Sequence, residues 1–574
     1  MISIKEMQHL IPLEIIPRRF AAWVTAWNHS RGDRNTPREF LTGFIRRVRG
    51  DKRFVLLYVL VAIASVAFFA YAFFPWATSR KMPIKFNSPD ETANYVFASR
   101  VARGQPFGIP EALSGVAGGV IHPRSTRAVN DTIVPTSFLG LPLLYGTLGW
   151  LIGVDYLPYI TPFVAAIGLA ALYGCWRRLY DEKTALMAIG IAAAHPALWY
   201  YAARGFYHNV LFVCLLTFAW WFYFNSRERN FRISYFITAI LFAAIALFVR
   251  TSEVLWVVPL VAVMLWHERA RLTSRHLLAM IVTAGLCTVI GLVISISIFG
   301  QSLVGGYIPA VASSATSSLG RVVARLGAVL LPFGFHPINL VINFLRYGVI
   351  LFLPWWLLVA AGLIGAQRRH YIWAVGGVTA WLLVYYGSWQ FSDTVGPGGL
   401  SVGASYVRYW LPIYILWLPY AAIGLNRLAN TLSLKFSRVW LCLMYLLMAF
   451  FSFGLVFFEP NEGLVAVAGR LERYRETARF VTARTSPAAI VLGDRADKLF
   501  FPERRVIATD GRPVLTIPEV QRALPALALA APLYYYTTDP LNHDSVRGLD
   551  VTRFALANSW PLSDGAWLYR LVAF

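Results

Sequence analysis

The chain has 574 residues, of which 57% are hydrophobic and 15% aromatic but only 14% charged, and its mean hydropathy is +0.55. A soluble domain is about a quarter charged, so these figures exclude a soluble globular enzyme and indicate a polytopic membrane protein with one late polar region. The formal net charge of +23, from 52 Lys and Arg against 29 Asp and Glu, sits mostly in short clusters at the ends of apolar runs; this is the positive-inside pattern and not a nucleic-acid surface.

Residues 1–53 carry eleven basic and five acidic side chains among apolar pairs such as Ile15 and Ile16. That mixture predicts a cytoplasmic, interfacial amphipathic segment. The apolar run 54–75 follows; about twenty residues at ~1.5 Å each cover the roughly 30 Å hydrocarbon core, so it is the first span.

Residues 76–133 turn polar and rich in Pro and Gly, as a large first extracytoplasmic loop would be. Within it, FNSPDETANYVFASRVARGQPFGI predicts a helix that starts at Pro89, with Ser88 as its cap and Asp90 and Glu91 in its first turn. Two readings stay open for the acids. They can serve the helix dipole, or a carboxylate held at the membrane boundary can act as a general base or bind a metal. Further on, HPRSTRAVNDTIVP brings His122, Arg124, Arg127 and Asp131 together. Its arginine forks suit a phosphate or a pyrophosphate, and a solvated loop is the plainer alternative.

The run 134–154 is apolar but broken by Pro and Gly, and the next, 158–175, ends in Trp176, Arg177 and Arg178. An inside double arginine leaves room for only one crossing, so 134–154 is expected to be re-entrant or juxtamembrane. Further spans are expected at 184–203, 208–225, 233–249, 254–266, 276–299, 347–366, 371–390, 409–425 and 438–458, with a second re-entrant segment in 301–346. The basic clusters Arg227 to Arg232, His267 to Arg275, Arg368/Arg369 and Arg427 to Arg438 then fall on one side. This arrangement has eleven spans, a cytoplasmic N-terminus and an extracytoplasmic C-terminus. Where the chain reverses, FVRTSEVLW places Arg250 and Glu253 either as a structural pair or as ligand contacts. His208, Arg346 and Arg408 are lesser candidates, and Arg204, Asn209 and His336 are weighed beside them.

From about 459 the character changes. Residues 463–485 read as an amphipathic helix, and the β-rich runs AAIVLG, RRVIA, PLYYYTT and AWLYRLVAF alternate with GDRADKLF and TIPEVQRAL, the pattern of a small α/β domain. The four cysteines show no CxxC spacing and no His neighbours that would indicate a metal site. Walker A, HExxH and GxGxxG motifs are absent, so ATP-driven transport, zincin proteolysis and dinucleotide redox have no sequence support.

Four segments, SPDETANY, VPTSFLGLPLLYG, LFVRTSEVLWVVP and RYWLPIY, together with GDRADKLFFPERRVI, resemble the GT-C superfamily of integral-membrane glycosyltransferases. The likeness is greatest to relatives of the protein O-mannosyltransferases and of the lipid A aminoarabinose transferases. The resemblance implies an α-helical polytopic membrane protein of GT-C type, with about 11 transmembrane helices, re-entrant helices and a small C-terminal extracytoplasmic α/β domain. Its parts would be residues 1–53, the transmembrane catalytic part 54–458 and the domain 459–574.

The implied activity is transfer of a sugar, with inversion, from a polyprenyl-phosphate donor to a glycolipid, glycan or protein acceptor outside the cell membrane. A divalent metal is left open as cofactor. By the same resemblance Asp90 is the catalytic base, with Glu91 as its close alternative, and Arg124, Arg127 and Arg250 bind the donor phosphate. A lipid-linked-glycan flippase is the rival reading. It would place broken helices and charges at the bilayer midplane, whereas this chain concentrates polar residues in loops.

Overall fold

The structure, a computed structural model, describes residues 52–300, 327, 329–332, 334–365, 369–391, 399–431, 433–538, 549–562 and 565–574. The chain divides into two units, Met1–Ile63 and Ala64–Phe574; the first long helix begins in the first, and the site discussed below lies in the second. Of the expected N-terminal amphipathic segment, only Lys52 and Arg53 are among the described residues, and they open the Lys52–Thr78 helix.

Among the described residues, six helices are long and apolar enough to cross a membrane: Phe54–Thr78, Val154–Leu179, His208–Glu228, Ser274–Phe299, Pro337–Leu363 and Phe436–Phe458. Two bent pairs raise this to eight. Glu182–Ala194 and Pro196–Ala203 meet at 53°, and Ile233–Val249 and Thr251–His267 at 119°. The protein is therefore a multi-pass membrane protein.

Four of the expected runs take a particular form. The runs 233–249 and 254–266 are arms of one sharply bent pair, with Arg250 at the elbow. Those at 371–390 and 409–425 correspond to Arg369–Gly387 and Leu411–Asn430, which are helical but diluted by Tyr, Trp and terminal charges. Gly140–Ile152 has 13 residues, about 20 Å of helix, too short to cross a core of roughly 30 Å and in keeping with a re-entrant or juxtamembrane role. The expected second re-entrant segment lies mostly outside the described residues.

Small residues set the helix packing. Gly362 and Gly424 let the Leu353–Leu363 and Leu411–Asn430 helices touch backbone to backbone, since a Cβ on either would collide with the carbonyl of Tyr420 or Leu358. Lipid-facing surface is the opposite extreme. The most apolar stretch of Ser274–Phe299 has 0% of its residues buried, and Leu278, Val282, Leu286 and Val293 stand exposed, a surface stable only against hydrocarbon.

The polar regions form a cap built from two distant pieces of chain. In the first, β1 (Ile109–Pro110), β2 (Thr126–Val129) and β3 (Thr132–Pro135) make an antiparallel sheet of order β1-β3-β2 where the composition indicates only a loop. The β2–β3 turn is Asn130 and Asp131, with φ of 46° and 56°, the left-handed pair a tight hairpin needs.

In the second piece, the Leu464–Arg484 helix leads into a five-stranded sheet of order β5-β4-β6-β8-β7, made of β4 (Ile490–Asp494), β5 (Arg505–Thr509), β6 (Leu533–Thr537), β7 (Phe554–Pro561) and β8 (Trp567–Ala573). Strand β4 pairs in parallel with both β5 and β6; covered on both faces, its Ile490, Val491 and Leu492 are fully buried. The pieces share cores. Ala117 and Ile121 of the first loop pack with Ile490, Leu492 and Leu533, Val96 packs with Val481 and Phe500, and Arg505 reaches Glu111 at 3.0 Å.

Candidate active site

The helix Pro89–Ala102 begins with a complete capping box. Ser88 Oγ accepts the Asp90 N–H at 3.3 Å, and the Glu91 carboxylate accepts the Ser88 N–H at 3.2 Å. Neighbouring side chains on a helix point about 100° apart, so the two acids diverge.

Glu91 turns inward, its side chain 3% exposed, and pairs with Arg204, whose side chain is 2% exposed. Arg204 Nε donates to Glu91 Oε1 at 3.0 Å and Nη2 donates to Oε2. The same guanidinium also donates to Tyr200 Oη at 2.8 Å, Tyr207 Oη at 3.1 Å and Glu462 Oε2 at 3.4 Å. This closed cluster meets the requirement that buried charges be paired and hydrogen-bonded.

Asp90 turns the other way, into a cavity. Its Oδ1 accepts from Ser125 Oγ at 2.6 Å, and Oδ2 lies 3.3 Å from Arg408 Nη1. Arg408 enters from the short Ser405–Tyr409 helix and is fixed by Ser405 Oγ at 2.8 Å and by the rings of Tyr207 and Tyr409, at 4.6 and 5.0 Å.

Arg250 lies at the elbow of the bent pair. It ion-pairs with Glu253 at 2.6 Å, donates to Tyr386 Oη at 2.7 Å and stacks over Tyr409 at 5.1 Å. The structural pair left open by the sequence therefore forms, and Arg250 also reaches the cavity wall. His208 is anchored between Phe138 O at 3.1 Å and Asn94.

The cavity encloses about 1550 Å³. Its polar end gathers Asp90, Arg124, Arg250, Arg408, Arg495 and Lys498, and its long remainder is lined by apolar side chains such as Trp220, Phe236, Ile240, Val257, Met264 and Leu292. Two of the polar residues come from the late domain and were not singled out in the sequence, although GDRADKLF holds both. Arg124 lines this end as well, while its Nε donates to Asp497 at 2.9 Å and its Nη1 to Asp510 at 3.0 Å, tying the first loop to the late domain.

Other predicted residues lie elsewhere. Arg127 stacks over Phe299 at 4.7 Å and does not line the cavity. Asp131 is the hairpin turn. His122 lies 2.9 Å from Pro123 O and bridges Ile507 through its backbone, and burial pushes its imidazole below the ordinary histidine range. Arg346 sits in a π-helical run, Phe344–Val349, away from the cavity lining.

The sequence contains one G-x-S-x-G pattern, Gly399 to Gly403. Its Ser401 is fully buried and donates to Glu459 at 2.9 Å, so it lacks the exposed nucleophile of a hydrolase elbow. Among the described residues no group of three or more His, Cys, Asp or Glu could hold a metal ion. Asp90 is engaged by Ser125 and a guanidinium, a donor set that does not fit a divalent cation held by protein ligands.

Comparison with known proteins bears on the fold. Residues 159–295 match the family described as dolichyl-phosphate-mannose-protein mannosyltransferase. The fold is similar to that of the Archaeoglobus fulgidus oligosaccharyltransferase tethered with an acceptor peptide, with a TM-score of 0.51 at 10% identity over 85% of this chain and 69% of that one. The archaeal oligosaccharyltransferase AglB from the same organism, in complex with an inhibitory peptide and a dolichol-phosphate, gives 0.51 and 10% over 84% and 69%. ArnT from Cupriavidus metallidurans bound to undecaprenyl phosphate gives a TM-score of 0.48 at 12% identity over 90% of this chain and 97% of that one. No curated protein matches the chain in sequence. The GT-C resemblance read from the sequence holds at the level of fold: a helical membrane body of this type with a small β-sheet cap.

Proposed function

We propose that this protein is a membrane glycosyltransferase that moves a sugar from a polyprenyl-phosphate donor to an extracytoplasmic acceptor, a glycolipid, glycan or protein, with inversion at the anomeric carbon. The supporting observation is a single cavity whose long apolar part suits an isoprenoid chain and whose polar end presents Asp90 beside Arg408. Solved relatives of the same fold carry a dolichol-phosphate or an acceptor peptide.

In this reading the acceptor hydroxyl attacks the anomeric carbon from the face opposite the phosphate. Its proton passes to Asp90 as the C–O bond to the lipid phosphate breaks, and the bonding pair leaves with the phosphate oxygen. Arg408, with Arg250 behind it, stabilises the charge that develops on the departing phosphate. A phosphate leaves without protonation, so no general acid is required.

The cap lies on the extracytoplasmic side. In a cysteine-free background, Asp131→Cys and Leu529→Cys should both be labelled by an impermeant reagent from outside; labelling of either only from the cytoplasm would overturn that orientation. Transfer itself is tested by offering the purified chain a panel of polyprenyl-phosphate sugars with glycan, glycolipid and peptide acceptors. Sugar should leave at least one donor for one acceptor. Donor binding without transfer to any acceptor would reject the reading.

A further inference from the structure

The charges at the polar end of the cavity are unevenly matched. Arg204 is paired with Glu91, Arg250 with Glu253, Arg408 with Asp90, Arg124 with Asp497, and Arg495 with Asp510. Lys498 lines the same space, and among the described residues it is the lining cation whose side chain makes no ion pair or hydrogen bond. Its charged surroundings come from every element packed against it: Arg124 of the first loop, Asp497 and Arg495 of its own turn, and Glu462 ahead of the Leu464–Arg484 helix, with Asp510 also on the wall. Of these carboxylates, Asp497 and Asp510 are held by Arg124, and Glu462 by Arg470 at 3.0 Å and Arg204 at 3.4 Å. A cation held in a cavity, with the neighbouring carboxylates already engaged, is a seat for an anion.

Lys498 also comes from a different part of the chain than the reacting pair. It stands on Asp497–Phe500 of the late domain, whereas Asp90 opens the first-loop helix and Arg250 and Arg408 come from the membrane body. The donor's lipid chain and phosphate are assigned to the apolar body and to Arg408, which leaves Lys498, on the late domain, to the acceptor.

We infer that Lys498 is the anchor of an acceptor subsite for an anionic group, a carboxylate or a phosphate, carried by the molecule that receives the sugar. The identity of the anion's bearer rests on the transferase reading, whereas the anion site itself does not. Desolvation by burial, with Arg124 and Arg495 adding to it against Asp497 and Glu462, lowers the Lys498 ammonium to about 8. The subsite is therefore charged at neutral pH and discharges as pH rises through about 8, and anion binding weakens in that direction.

The test uses the full chain in nanodiscs and two probes that differ by one charge, octyl glucuronide and octyl glucoside, with binding measured directly. The wild type should bind the glucuronide about tenfold or more tightly than the glucoside at pH 7, and the preference should shrink above pH 8. Lys498→Met should bring the ratio near one. Lys498→Arg should keep it and remove its pH dependence below pH 9. Saturating polyprenyl phosphate should leave glucuronide binding in place. Equal binding of both probes by the wild type, or a preference that survives Lys498→Met in a chain with an unchanged melting temperature, overturns the subsite. Displacement of the glucuronide by polyprenyl phosphate overturns its assignment to the acceptor. Discrimination in binding with no sugar transfer at all sustains the anion site and rejects the transferase reading instead.

Discussion

Two arginine–carboxylate pairs stand at consecutive residues of one helix start and have opposite fates. Glu91 with Arg204 is sealed, with side-chain exposures of 3% and 2%; Asp90 with Arg408 opens on the cavity, with 21% and 11%. The sealed pair spends its hydrogen-bonding capacity on a capping box, two tyrosines and Glu462, and so holds the first loop against the membrane body. The open pair keeps a carboxylate and a guanidinium at the mouth of a space large enough for a lipid. In the proposed reading the same chemistry is structural in one place and available for reaction in the other, and about 100° of helix rotation makes the difference.

The largest effect should come from Arg408. Removing a cation that meets charge developing only in the transition state costs on the order of 10²–10³ in turnover, so Arg408→Ala should lose that much in a transfer assay while its melting temperature stays close to wild type. A collapse in stability with turnover per folded molecule preserved would make the open pair structural and erase the contrast.

The mirror-image experiment addresses the sealed pair. Truncation of one partner of a buried ion pair leaves an uncompensated charge and costs about 3–5 kcal/mol. Glu91→Ala should therefore lose stability of that order in thermal or denaturant unfolding, and Glu91→Ala combined with Arg204→Met should recover part of it. No loss in the single variant would show that Glu462 alone satisfies Arg204.

Arg250 sharpens the comparison, because it combines both roles: it is paired to Glu253 and Tyr386 and still reaches the wall. Hydrogen bonds to charged groups contribute about 1.5–3 kcal/mol. Arg250→Lys, which keeps the charge but not the fork, should lose stability in that range together with donor affinity. Unchanged donor affinity would leave Arg250 as elbow structure alone.

The smallest effect belongs to Asp131. Its φ of 56° suits glycine, so Asp131→Gly should fall within about 0.5 kcal/mol of wild type in unfolding and leave transfer unaltered. A marked loss of transfer would return Asp131 to the site.

How much of this was legible in the sequence follows from locality. The Ser88 cap, the helix start at Pro89 and most strands of the late domain are local patterns of capping and alternation, and each appears where the residues indicate. Strand β7 did not announce itself, because FALANSWP carries polar residues and a bulge at Asn558, with φ of 45°. The first-loop sheet was hidden by its two- and four-residue strands. Which arginine meets which acid is not local at all: Arg204 and Arg408 reach the helix start from 113 and more than 300 residues away in sequence. The sequence therefore directed attention to Arg124, Arg127 and Arg250 because they lie in suggestive motifs, whereas the fold sets Arg408 beside Asp90 and brings Lys498 in from the far end of the chain.

The division of labour between the two acids is tested most directly by measuring sugar transfer and thermal unfolding side by side for Asp90→Asn and Glu91→Gln. Asp90→Asn keeps the shape and removes the proton acceptor; it should lose about 10²-fold or more in turnover with donor binding and melting temperature little changed. Glu91→Gln should melt earlier yet turn over at close to the wild-type rate per folded molecule. Near wild-type turnover in Asp90→Asn together with abolished turnover in a well-folded Glu91→Gln would contradict the account and move the base to Glu91.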